Sequence, residues 1–173
     1  MEVKTGDYIG DLKRMKYRFL VTYISVVFSA LSVIPVAYIP DDLQGFSIVA
    51  ALSMLGTVGF GITAFLVCHS TSAIRKKYEK DKNDISFTKI MDRIFTLSFF
   101  KNKPAVVFDV LLLASFTIVG FSDSLGVLEK NEWIAFAFMI VFILSIEFHM
   151  VFNGKNYNYY KHHTAGGIAQ VSK

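Results

Sequence analysis

Residues 133–152, WIAFAFMIVFILSIEFHMVF, decide the fold. An apolar run of this length matches the ~20 residues with which an α-helix crosses ~30 Å of hydrocarbon. Working outward, three further blocks have the same character: 19–39 (FLVTYISVVFSALSVIPVAYI), 46–68 (FSIVAALSMLGTVGFGITAFLVC) and 104–121 (PAVVFDVLLLASFTIVGF). The third is the shortest and has an acid deep inside it. The 173-residue chain is 53% hydrophobic with a mean hydropathy of +0.46. A soluble domain does not concentrate apolar residues in such unbroken blocks. The expected fold is therefore all-α: a polytopic membrane protein with four transmembrane helices.

Charge gives the expected sidedness. Of 18 Lys and Arg, five precede the first block, nine lie between Arg75 and Lys103, and three follow the fourth block. Lys130 alone falls in the other two loops, which carry Asp41, Asp42, Asp123, Glu129 and Glu132. The positive-inside rule then places both termini and the middle loop in the cytoplasm. The net charge of +4 reads as a topology signal and as attraction to anionic headgroups, with no nucleic-acid partner expected. The first block, behind an 18-residue charged segment, reads as an uncleaved signal anchor. A single cysteine, Cys68, rules out an internal disulfide and a multi-cysteine metal site.

Three regions follow: a cytoplasmic arm at 1–18, a membrane domain at 19–152, and a cytoplasmic tail at 153–173. The connections at 40–45 (PDDLQG) and 122–132 (SDSLGVLEKNE) are short, so the spans form two antiparallel hairpins. The loop at 69–103 is the largest piece outside the membrane. Its first half prolongs span two as a charged helix, with Arg75 and Glu79 at i, i+4. In its second half Phe87, Ile90, Met91, Ile94, Phe95 and Phe99 share one helical face, opposite Lys89, Asp92 and Arg93. That pattern describes an amphipathic helix in the membrane interface or docked on the bundle. The tail reads as an aromatic, basic start followed by a flexible end.

The spans contain few polar groups. Ser53, Thr57 and Gly61 recur at every fourth residue of span two, with Gly56 and Gly59 nearby. Small residues at this spacing let helices approach closely, and Ser25 and Ser29 make span one the expected neighbour. On this reading Gly59→Leu disrupts assembly. GTVGFG at 56–61 lacks the strand and phosphate-binding lysine of a nucleotide loop. Pro35 predicts a local kink near the end of span one.

The ionisable candidates are Asp109, Glu147, His149 and His69. Asp109 lies five residues into span three and Glu147 five residues before the end of span four, so both sit about 7–8 Å from the same membrane edge. Glu147 and His149 are two residues apart, rotated by roughly 200° on a helix, and cannot serve one face. Two groupings stay open: Asp109 with Glu147, or one acid with a histidine from another helix. Of the two, Glu147 is the first partner to test for Asp109, with His149 at the interface.

No nucleotide, zinc-protease, redox or hydrolase motif occurs, and neither cofactor nor metal is expected. The function expected is that of a non-enzymatic bacterial inner-membrane bundle, homo-oligomeric, acting through lipid or protein contacts and coupling to a cytoplasmic partner. Immunity proteins, exclusion proteins and phage-defence membrane components share this architecture, without a motif that identifies any of them. The alternative is an oligomeric ion or proton channel, or a small transporter subunit, using the intramembrane carboxylates.

Overall fold

The computed structural model describes residues 5–39, 48–79, 103–121 and 132–170, and the elements described are all helices. In chain order they are α1 (Thr5–Leu31), a 3-10 helix (Ile34–Tyr38), α2 (Ile48–Tyr78), α3 (Lys103–Gly120), α4 (Glu132–Phe152) and α5 (Lys155–Gln170). The expected amphipathic helix, with Phe87, Ile90, Met91, Ile94, Phe95 and Phe99, lies outside the described residues, as do the turns at 40–47 and 122–131.

The N-terminal arm and the first apolar block form one continuous helix. Asp11, Met15, Phe19, Thr22, Val26, Ser29 and Ala30 are buried at three- and four-residue intervals, so one face crosses the expected boundary without a break. The α-helix ends at Leu31 because Pro35 has no N–H and its ring crowds the carbonyl four residues earlier. The chain tightens there into i→i+3 bonds, Val36 N to Val33 O at 3.0 Å and Ile39 N to Val36 O at 3.2 Å. The expected kink is thus a change of helix type.

α2 has 31 residues, about 46 Å at 1.5 Å per residue, so its charged end outruns the hydrocarbon. It runs antiparallel to α1. Ser29 Oγ donates to Thr57 O at 2.8 Å, Arg18 Nη1 to Ser70 O at 2.7 Å, and Lys77 Nζ to Asp11 Oδ2 at 2.8 Å. α4 packs on the other side of α1, and α3 packs chiefly on α4, giving the row α2–α1–α4–α3.

α5 was not expected as an ordered element. At Asn153 and Gly154 the chain turns by 63° and folds back across the charged ends of α1 and α2. Gly154 suits the turn because a Cβ there would stand 3.0 Å from the Val151 carbonyl oxygen. Tyr157, Tyr159 and Tyr160 carry the tail onto Met15, Phe19, Ile74 and Val151, the main buried cluster.

Beyond that cluster the helices present apolar side chains outward: Leu52, Leu55, Ile62 and Leu66 on α2, and Val107, Val110, Leu113 and Phe116 on α3. Apolar faces of this extent suit lipid or a protein neighbour. Two helical segments, Asp7–Val36 and Ile48–Tyr78, are long and apolar enough to cross a membrane. A third qualifies if Phe136–Phe152 and Lys155–Thr164 count as one bent span.

Candidate functional site

The intramembrane candidates gather on α4, where the helix period sends them to opposite sides. His149 faces α3. Its Nδ1 donates to Asp109 Oδ1, and both side chains are fully buried. The Asn153 amide, one turn on, stands 3.1 Å from His149 Nε2. Phe108, Phe148 and Phe152 close around the pair, with ring centroids 4.8 Å apart for Phe108 and Phe148. His149 is therefore an interior residue, not the interface residue expected. Asp109 is joined to this histidine from the neighbouring helix and not to Glu147.

Glu147 faces α1 and α2. Its Oε1 lies 2.9 Å from Ser29 Oγ, which also reaches Thr57 O at 2.8 Å. Ser29 has one proton for these two acceptors, so it bridges all three helices but satisfies one oxygen at a time. Glu147 Oε2 is buried with no hydrogen-bond partner among the described residues. Gly61 is the surface on which the carboxyl rests: a Cβ there would meet Glu147 Oε1 at 2.7 Å.

The small-residue face of α2 follows the same geometry. Ser53 is buried, Thr57 accepts from Ser29 through its carbonyl, and a Cβ on Gly56 would meet Ser32 Oγ at 2.8 Å. Gly59 is exposed, and a Cβ there would meet no atom within 4 Å among the described residues. It lies two residues past Thr57, roughly 200° around the helix. Within the chain, close approach falls to Gly56 and Gly61.

Because α2 and α4 both pack on α1 and scarcely on each other, a cavity of 370 Å³ opens between them. Val26, Ala64, Phe65, Met150 and Val151 form apolar walls, Glu147 and Gly61 lie at one level, and His69, Lys155 and Asn156 lie at another. His69 and Gly61 are eight residues apart on α2, about 12 Å along the axis. His69 is exposed and stacks on Phe65, with centroids 6.1 Å apart.

Sequence reasoning missed the polar layer at the charged end. Asp11 accepts from Lys77 Nζ at 2.8 Å and from the Tyr78 hydroxyl at 2.6 Å, and pairs with Arg14 at 3.4 Å. These residues lie outside the apolar blocks. The Lys77 bond first, then Tyr78, holds the Asp11 carboxyl below the usual carboxylate range; the same contact raises Lys77. Nearby, buried Arg75 donates through Nε to Asn156 Oδ1 at 3.0 Å, while Asn156 Nδ2 donates to Cys68 O at 3.1 Å. The i, i+4 spacing of Arg75 and Glu79 was the only part visible beforehand; they meet at 2.5 Å.

No group of three or more His, Cys, Asp or Glu side chains suited to a metal occurs among the described residues. His163 bonds Tyr159 O through Nδ1 at 2.8 Å and stacks on the Tyr159 ring, which places it in α5 packing. Comparison with known proteins finds no matching family model, curated protein or solved structure.

Proposed function

We propose that the protein is a non-enzymatic, four-span, N-in/C-in bundle of a bacterial inner membrane, homo-oligomeric and acting by contact with lipids and protein. The observation that carries this reading is the row of helices with two open edges. One edge is the outward face of α2, with Leu52, Leu55, Ile62 and Leu66; the other is α3, which packs chiefly on α4 and turns Val110, Leu113 and Phe116 outward. In a membrane such edges meet lipid or another copy. The polar layer around Asp11, Lys77 and Arg75 then faces the cytoplasm, beside the basic loop at 69–103 through which a cytoplasmic partner couples. Immunity, exclusion and phage defence are the roles that fit this design.

The test has two arms in a Cys68→Ala background. Cysteines at positions 42 and 125 should react with an impermeant maleimide from outside intact cells, and one at 82 only after permeabilisation. Cysteines at 55 or 113 should cross-link copies within the membrane. Reversed labelling contradicts the sidedness, and absence of cross-links at every outward α2 and α3 position contradicts the oligomer.

A second reading, a small transporter or channel subunit, is favoured by one observation: the Glu147 carboxyl lines a cavity. Ion flux into vesicles that is lost in Glu147→Gln would select it over the contact reading.

A further inference from the structure

A cavity of 370 Å³ falls in the range of ~300–1,000 Å³ that holds small organic ligands. Its lining divides by chemistry. Val26, Ala64, Met150 and Val151 offer an apolar bed, and Phe65 adds an aromatic ring of the kind that attracts cations. The Glu147 carboxyl enters at the level of Gly61. Ser29 engages Oε1 at 2.9 Å, while Oε2 is buried with no hydrogen-bond partner among the described residues. A buried oxygen of this kind is costly to leave unsatisfied, so an occupant bringing an N–H donor gains what the empty site lacks. Lys155 lies near the other end, two helical turns along the groove, where its positive charge disfavours a second cation.

We propose that this cavity binds a lipophilic ammonium ion, its apolar body on Ala64, Phe65, Met150 and Val151 and its ammonium donating to Glu147 Oε2. Charge complementarity selects this occupant. An acyl chain would leave the carboxyl without a donor, and a free anion would meet it head-on. The binding is reversible, with no bond made or broken. The proposal goes beyond the contact reading and takes from it only that the groove opens toward hydrocarbon, where an amphipathic amine concentrates.

Cys68 lines the same cavity and is the chain's one cysteine, so its alkylation rate reports occupancy. The full chain in phosphatidylcholine vesicles is treated with N-ethylmaleimide in the presence of 4-phenylbutylammonium or its neutral analogue, 4-phenylbutanol. The amine should slow alkylation saturably, and the alcohol should leave the rate within about twofold. Glu147→Gln should raise the half-protecting amine concentration by about tenfold or more, the factor that 1.4 kcal/mol of lost interaction produces. Equal protection by amine and alcohol, protection by neither, or an unchanged amine concentration in Glu147→Gln would each overturn the proposal. Protection that follows added phosphatidylglycerol instead assigns the cavity to lipid and overturns it equally. The amine–alcohol comparison uses the unaltered protein and stands even where the variant fails to fold. Failure here leaves the sidedness and cross-linking results untouched, so the two readings fail separately.

Discussion

Asp109 and His149 are joined by a hydrogen bond between two fully buried side chains, which fastens α3 to α4. α3 packs chiefly on α4, so this bond is its polar attachment to the row of helices. Interhelical hydrogen bonds in membranes contribute about 1–2 kcal/mol at their strongest. Asp109→Asn or His149→Phe alone should lower the thermal stability of the purified protein by about that amount. Asp109→Leu combined with His149→Phe should recover most of the loss, because both polar groups leave together. Thermal melting in lipid nanodiscs reads both results.

Gly61 and Gly59 are two residues apart and should respond oppositely to added volume. A Cβ on Gly61 meets Glu147 Oε1 at 2.7 Å, so Gly61→Leu displaces the carboxyl and pushes α2 from α4, at about 1–3 kcal/mol. Gly59→Leu points into open space within the chain and should leave the melting temperature of the isolated subunit unchanged. Any loss of cross-linked oligomer in Gly59→Leu would then report on contacts between copies.

The Asp11 contact has a defined pH window. Its carboxyl is held below the ordinary value near 4 by Lys77 and Tyr78, so the unfolded chain binds the proton more readily than the folded one. Its stabilisation is present above about pH 4 and is lost as pH falls through the lowered folded value. Lys77 is raised by the same contact, and its share is lost only as pH rises past the usual lysine range. Melting between about pH 3 and 8 should show an acid limb in the unaltered protein that is shallower in Asp11→Asn.

Asn156 pins α5 to α2 by accepting from Arg75 Nε and donating to Cys68 O. Asn156→Ala removes both bonds from a largely buried place and should cost about 1–3 kcal/mol. Gly154→Val presses a branched side chain against the Val151 carbonyl and should loosen the same docking. Amide hydrogen exchange over residues 155–164 should accelerate in both variants, with little change in the outer half of α2.

The helical class was legible because hydropathy is local: an apolar run of membrane length needs no partner to identify it. The opposed orientation of Glu147 and His149 was legible too, since it follows from 100° per residue. Their partners were not. Which of α1 and α3 lies on each side of α4 depends on packing among four helices, which periodicity does not encode. For the same reason Gly59 looked equivalent to Gly56 and Gly61, although it faces away from α1. The N-terminal arm appeared separate because its charged exposed face masks the buried stripe through Asp11 and Met15. The Asn153–Gly154 pair was a turn signal, but the helix after it is held by tyrosines contacting α1 and α2, far away in sequence.

The account's central claim is that the two intramembrane acids act on opposite sides of α4, Asp109 with His149 and Glu147 with Ser29 and the cavity. Double-mutant cycles in thermal stability test it most directly, pairing Asp109→Asn with His149→Phe and, separately, with Glu147→Gln. Residues in contact couple by about 0.5–3 kcal/mol, whereas independent ones add to within about 0.5 kcal/mol. The account predicts coupling in the first cycle and additivity in the second. Additivity for Asp109 with His149, with strong coupling between Asp109 and Glu147, would contradict it.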